Sequence, residues 1–469
     1  MLFHTIEFWI FFFIVLCLFY GSQYKMRSII ILFSSYIFYM FWSPKFIILI
    51  LVSTMIDYVV SIHMPHASKR KKKILLLTSI FSNLGLLGYF KYNNFFPHSF
   101  SNLLLISPES FTHQVIIPVG ISFYTFQSLS YTIDVFRGNM KPVDSFIDFA
   151  LFVAFFPQLM AGPIIRAHQF FDQWFEWKKP TDFMVQEAIF LILLGLIKKT
   201  VFADYFCLIS YEYFHNLSKY PGLWNAWEGL IASYIQIYCD FAGYSEIAIG
   251  CAKLLGFNFH ENFRRPFLAK NISEIWNRWH ISLSDWLRDY VYIPLGGNQF
   301  GRLSAFKNLI ITMILGGLWH GAHLKFIFWG AYHGLLLSGN AFIKNVFGHK
   351  KVFRFWNQSF FTPLKIMITF LLFIIGGVFF SCNSVNDSFL VYSRIFDFAC
   401  LGNSMFKFDH WLLIVIGLFF SILEEYYHIF NRLVISSMWL RVTAIILMLF
   451  CIELFSYTSE EIPFFYFIF

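Results

Sequence analysis

Apolar runs long enough to cross a bilayer recur almost from one end of this chain to the other, and no other feature restricts its fold so tightly. They lie near 6–20, 28–42, 45–62, 74–90, 115–136, 147–163, 184–210, 224–250, 306–320, 324–343, 364–381, 410–430 and 437–456. A helix needs about 20 apolar residues to span the hydrocarbon core, and lipid offers no partner to an unpaired backbone group, so such runs become helices. Composition agrees: the 469 residues are 58% hydrophobic and 13% charged, with mean hydropathy +0.61, where a soluble domain carries about 25% charge. The expectation is an all-α polytopic membrane protein with roughly 11–13 transmembrane helices. It forms a single embedded domain over residues 1–469, because the longest polar stretches (93–114, 164–183, 257–302 and 344–362) are only loop-sized.

The net charge of +8 does not point to nucleic acid. Much of it sits in one run, Lys69-Arg70-Lys71-Lys72-Lys73, between two apolar segments. Short basic loops beside spans are cytoplasmic topology signals. Lys25 and Arg27 follow the first span and Arg137 and Lys141 the fifth, so these loops share the cytoplasmic side and the N-terminus is expected outside. Met1–Glu7 lacks a basic region and no small-residue cleavage site follows, so the first apolar run reads as a retained span. The seven cysteines are scattered through apolar runs without a CxxC pair and read as small core residues.

Residues 265–297 depart from the apolar pattern. They read RPFLAKNISEIWNRWHISLSDWLRDYVYIPLGG, crowded with Trp, His, Arg and Asp. Lipid tolerates neither these charges nor irregular backbone, so the segment must line a cavity or lie against protein. Pro266 and Pro294 bracket it and Gly296-Gly297-Asn298 ends it in a turn. Drawn as one helix over 274–290, Trp276, Trp279, Leu283, Trp286 and Tyr290 fall within about 80° of one another. Asn277, His280, Ser284 and Arg288 form an adjoining polar stripe. This predicts a re-entrant or interfacial helix with an aromatic face on the membrane body and a polar face on a site. The competing reading is an amphipathic helix lying flat in the headgroups.

Residues 309–320 read LIITMILGGLWH. Gly316-Gly317 permit close approach of a neighbouring helix. A charged imidazolium in lipid is costly, so His320 is expected neutral, and a neutral imidazole can take the proton of a hydroxyl as that hydroxyl attacks an activated acyl group. The plainer alternative is a buried histidine bonded to another helix. His323 follows three residues on, but no third ligand stands at a known spacing, so no metal is expected. His333 lies about 220° round a continuous helix from His320 and should face elsewhere unless the chain breaks near Gly321. Asp240, an acid inside an apolar run, and the nearby Tyr244 are further candidates. No G-x-S-x-G elbow, Walker motif or dinucleotide glycine motif is present.

In these motifs the chain resembles the bacterial polysaccharide-acetylating branch of the membrane-bound O-acyltransferase family. The resemblance runs nearly end to end through LGLLGYFKY (84–92), IPVGISFYTFQSLSYTIDVFRG (117–138), FFPQLMAGPIIR (155–166), GLIKKTVFADY (195–205), YCDFAGYSEIAIG (238–250), the 265–298 segment, GGLWHGA (316–322) and the closing PFFYFIF (463–469). It implies that His320, in the Trp319-His320-Gly321 motif, is catalytic and that a tunnel crosses the membrane body; Asn277 and His280 match loosely the Asn-x-x-x-His pattern of other members, and with Arg288 of the polar stripe and Trp319 they are the candidate site-lining residues. It further implies an acyltransferase of the bacterial inner membrane that holds no bound cofactor. The implied donor is cytoplasmic acetyl-CoA and the implied acceptor an extracytoplasmic polysaccharide such as alginate or peptidoglycan. An SGNH-type esterase partner outside the cell would complete the transfer.

Three other functions fit parts of the pattern. D-alanyl transfer to teichoic acid would use the same residues. A transporter or flippase would place His320 in a proton pathway, yet the sequence has no internal repeat of the kind many such proteins carry. A non-catalytic scaffold for a secreted esterase would not need His320 at all. Replacing His320 separates the last two from an acyltransferase.

Overall fold

The computed structural model describes residues 1–93, 116–356, 358–456 and 462–465. The polar stretch at 94–114 and the end of the closing landmark, 466–469, lie outside the described residues. Among the described residues all regular structure is helical. Four segments, Pro44–His63, Lys69–Tyr92, Ser359–Ser381 and Met438–Phe455, are individually long and apolar enough to cross a membrane. This is the all-α, polytopic membrane architecture that the run pattern demands.

The chain divides into two compact units, one of Met1–Leu196, Tyr244–Glu261 and Pro463–Phe469, the other of Ile197–Gly243 and Asn262–Ile462. The first unit contains α1 (Ile6–Tyr20), α2 (Tyr24–Met40), α3 (Ile47–His63), α4 (Lys69–Tyr92), α5 (Ile121–Arg137) and α6 (Phe146–Ala154). The basic run opens α4, where Ser68 at the N-cap accepts from the Lys71 amide at 3.4 Å. A buried carboxylate joins three of these helices. Asp57 on α3 accepts from Asn83 of α4 at 2.8 and 2.9 Å, and from the hydroxyls of Ser79 on α4 and Ser128 on α5. Apolar surfaces gain little by associating in lipid, so polar ties of this kind and close packing hold such helices together. The expected span at 147–163 is not one helix: α6 stops at Ala154 and the chain re-forms a short turn at Phe156–Leu159. Pro157 at the start of that turn has no amide proton to continue the helix.

The second unit holds the polar segment. Its elements are residues 223–243 of α7 (Leu223–Leu254), α8 (Ile272–Trp276), α9 (Ile281–Leu287), α10 (Gly301–His320), α11 (Leu324–Phe347), α12 (Thr362–Ser381), α13 (Phe408–Tyr427) and α14 (Met438–Phe455). α10 and α11 form a tight hairpin. A Cβ on Gly317 would lie 2.1 Å from the Phe326 carbonyl oxygen, and one on Gly330 would lie 2.4 Å from that of Met313. Glycine on both helices is what permits this contact.

Candidate active site

The hairpin turn places His320. α10 ends at this residue, Gly321 is extended, and His323 caps α11 by accepting the Lys325 amide on Nδ1 at 3.2 Å. His320 is only 7% exposed. Its ring meets Trp319 at 4.9 Å, Trp329 at 5.1 Å and Phe380 at 5.2 Å between centroids, each edge to face. The Lys325 ammonium donates to the Phe380 carbonyl at 3.2 Å and to that of Cys382, securing the end of α12 beside the histidine. Buried aromatic walls exclude water, which strengthens any hydrogen bond made to a reacting group inside them.

The polar segment is not the single helix expected over 274–290. α8 ends at Trp276, His280 takes a left-handed conformation (φ 41°), and α9 starts afresh at Ile281. After Leu287 the helix widens into a π turn at Arg288–Tyr292. The break persists because the loop before it takes up the freed backbone groups. The Arg264 amide donates to the Arg278 carbonyl at 2.8 Å, and the Ile281 amide donates to the Asn262 carbonyl at 2.9 Å. The Asn262 side-chain oxygen accepts from the Ser282 amide at 3.1 Å and hydroxyl at 2.9 Å, and lies 3.3 Å from His280 Nδ1. Asn262 therefore sets the position of His280. Sequence reading missed it, because a lone Asn in a loop carries no signal of that role.

One face of the segment is packed into protein. Trp279, His280, Leu283 and Trp286 are buried. Arg278 is bound by Glu425 on α13 at 2.8 Å and by Glu274 at 2.7 Å, and Arg265 reaches Glu425 at 2.8 Å. Planar guanidinium pairs of this kind fix orientation as well as charge.

The sequence-predicted residues fall in different surroundings. His280 and Trp319 come together, with ring centroids 5.9 Å apart, and Trp319 touches His320. Phe241 closes on the other side of His280 at 4.7 Å. Burial pushes the His280 imidazole down to about 3, so it is neutral at physiological pH. Asn277 ends α8 and is exposed. The Arg288 side chain is 55% exposed and pairs with Asp285 at 2.6 Å and Asp289 at 2.8 Å. Asp240 lies in a buried ion cluster: Lys199 holds Asp240 and Asp204, each at 2.8 Å. A π turn at Lys198–Ala203 presents that lysine. Tyr244 packs on Phe3 at 4.5 Å and Phe464 at 4.6 Å within the first unit.

His333 falls under the exception that the sequence left open, a break near Gly321. Because the chain breaks at Gly321, helical phase from His320 does not carry across. His333 is fully buried, with its ring 4.9 Å from Trp329, the residue that also touches His320. A separate cavity of about 1070 Å³ lies among Cys207, Tyr211, Glu212, Asn225 and Ser404, and none of the sequence-predicted site residues lines it.

The sequence model of the membrane-bound O-acyltransferase family matches residues 2–385. The chain is 40% identical to the probable alginate O-acetylase of Pseudomonas putida over 391 residues, covering 82% of this chain and 78% of that protein. It is 33% identical to the peptidoglycan O-acetyltransferase of Helicobacter pylori, over 76% of this chain and 71% of that one. Against the teichoic acid D-alanyltransferase of Bacillus subtilis the identity is 30%, over 58% and 71%. With its buried histidine at the tip of a glycine-packed hairpin, the chain belongs to the membrane-bound O-acyltransferase family and is a multi-pass membrane acyltransferase.

Proposed function

We propose that this protein transfers acetyl groups from a cytoplasmic donor, acetyl-CoA, across the bacterial inner membrane for O-acetylation of an extracytoplasmic polysaccharide of the alginate or peptidoglycan kind. Acetylating relatives cover more of the chain than the D-alanylating one does, which favours acetyl as the group moved. The observation that carries the reading is His320: a buried imidazole walled by Trp319, Trp329 and Phe380 at the break between two helices. In the proposed step the acceptor hydroxyl loses its proton to the imidazole as its oxygen attacks the thioester carbonyl. A C–O bond forms, the C–S bond breaks, and the departing thiolate takes the proton back from the imidazolium. The products are an ester and a thiol.

His280 and Trp319 support His320 from the side of the polar segment. Asn277 and Arg288 are rim residues in this reading, with Arg288 reaching the donor's phosphates. Asp240 and Tyr244 brace the surrounding helices. The N-terminus is extracytoplasmic, and an SGNH-type protein outside the cell receives the group for final delivery. The test is His320→Ala in a strain whose envelope polysaccharide O-acetyl content is measured alongside the amount of protein in the membrane. Loss of acetylation at unchanged protein level is expected. Acetylation near the wild-type level in that variant would overturn the assignment, and would revive the scaffold reading.

A further inference from the structure

The cavity of about 1070 Å³ in the second unit has no part in the chemistry above. It lies between the end of the helix Asp204–His215, the start of α7 and the loop that leads into α13. Hydrogen bonds fix its walls. The Leu223 and Trp224 amides donate to the Cys400 and Leu401 carbonyls at 2.8 and 2.9 Å. The buried Glu228 carboxylate accepts from the amides of Met405 at 2.5 Å and Phe406 at 3.1 Å. The space stands at the top of the roughly 300–1,000 Å³ range of small-molecule pockets.

The lining changes character along the helix. Leu208 and Ile209, with Met405 and Ile462, make an apolar floor. Tyr211 and Glu212 come about 6 Å further along the axis than Leu208, and Lys219 follows in the turn beyond. Tyr211 and Trp224, near the ends of their helices, are exposed, as aromatic rings are where acyl chains meet headgroups. An apolar floor under a charged rim suits an amphiphile.

The rim decides which headgroup. Lys219 Nζ donates to Glu212 Oε1 at 2.7 Å, and the Tyr220 hydroxyl donates to the same oxygen at 2.8 Å. Asn216 donates to Oε2 at 3.0 Å. The ammonium keeps two protons to donate and Oε2 can accept once more, while the pair has no net charge. An anionic head would meet Glu212 and a cationic one Lys219. A zwitterion satisfies both.

We propose that this cavity binds one phospholipid with a phosphoethanolamine head, its phosphate on Lys219, its ammonium on Glu212 and an acyl chain along Leu208, Met405 and Ile462. The site does not depend on the acetyl-transfer reading.

The full-length protein, purified in detergent and stripped of lipid, is titrated with phosphatidylethanolamine or phosphatidylglycerol, and bound lipid is counted by native mass spectrometry. Wild type should bind one phosphatidylethanolamine about threefold more tightly than phosphatidylglycerol, the size of effect one partly exposed charge pair gives. Glu212→Gln leaves Lys219 with an uncompensated charge and should reverse that order. Leu208→Trp fills the floor and should weaken both lipids about tenfold. Leu303→Trp, at an exposed position on α10 outside the cavity, should change neither. Glycerophosphoethanolamine, the same head without chains, should not compete. Equal affinity of wild type for the two lipids, or an order unchanged in Glu212→Gln, overturns the proposal even if Leu208→Trp does not fold. Displacement of the lipid by the soluble head or by an oligosaccharide also overturns it, and assigns the cavity to a soluble ligand.

Discussion

Gly317→Ala is a one-carbon change whose consequence can be worked from the hairpin. The added Cβ would lie 2.1 Å from the Phe326 carbonyl oxygen and 3.0 Å from its carbon. Backbone atoms cannot swing aside as a side-chain end can, so α10 and α11 must separate by about 1 Å at this level to restore ordinary contact. Overpacking of a tight interface costs about 1–3 kcal/mol. The larger effect is expected in activity. His320 is three residues further on and is the last residue of α10, so the shift passes directly to the ring proposed to carry the chemistry. A misplacement of about 1 Å can lower a rate about a hundredfold. The assay is acetyl transfer by detergent-purified protein together with a thermal melt. Gly339→Ala, on α11 with nothing within 4 Å of the new Cβ, is the control and should be neutral or slightly stabilising. A Gly317→Ala protein with wild-type turnover and melting temperature would refute the argument that this contact sets the position of His320.

Two further outcomes follow from the same structure. Burial holds His280 down to about 3, so between pH 6.5 and that value the unfolded chain binds a proton that the folded protein refuses. Its contribution to stability is present above pH 6.5 and is lost as pH falls, about 2 kcal/mol by pH 5; wild type should therefore lose more melting temperature from pH 7 to 5 than His280→Asn does, and equal losses would contradict this. For topology, a single cysteine at Ser68, in a background without native cysteines, should resist a membrane-impermeant thiol reagent in intact cells, and efficient labelling would invert the proposed orientation.

What the sequence determined by itself was whatever depends on local physics. Apolar runs in lipid have no alternative to the helix, so the all-α membrane class follows from hydropathy alone. The burial of His320 was legible because it closes an apolar run after Gly-Gly, and the close approach allowed by Gly317 needs only the missing side chain. The aromatic face of the polar segment was also legible, since Trp279 and Trp286 are buried as its stripe suggested. Tertiary structure decided the rest. Helical periodicity assumes that the helix continues, and whether it does depends on partners far away in the chain. Asn262 and Arg264 accommodate a break at His280, so Asn277 and Arg288 do not share one continuous face with it. The turn at Gly321 resets the phase of α11, and so His333 packs against Trp329, next to His320, instead of turning away. Asp240 was conspicuous as an acid in an apolar run, but its partner Lys199 comes from another helical segment. A chain read in order shows which residues are costly to bury; only the folded protein brings together the groups that match them.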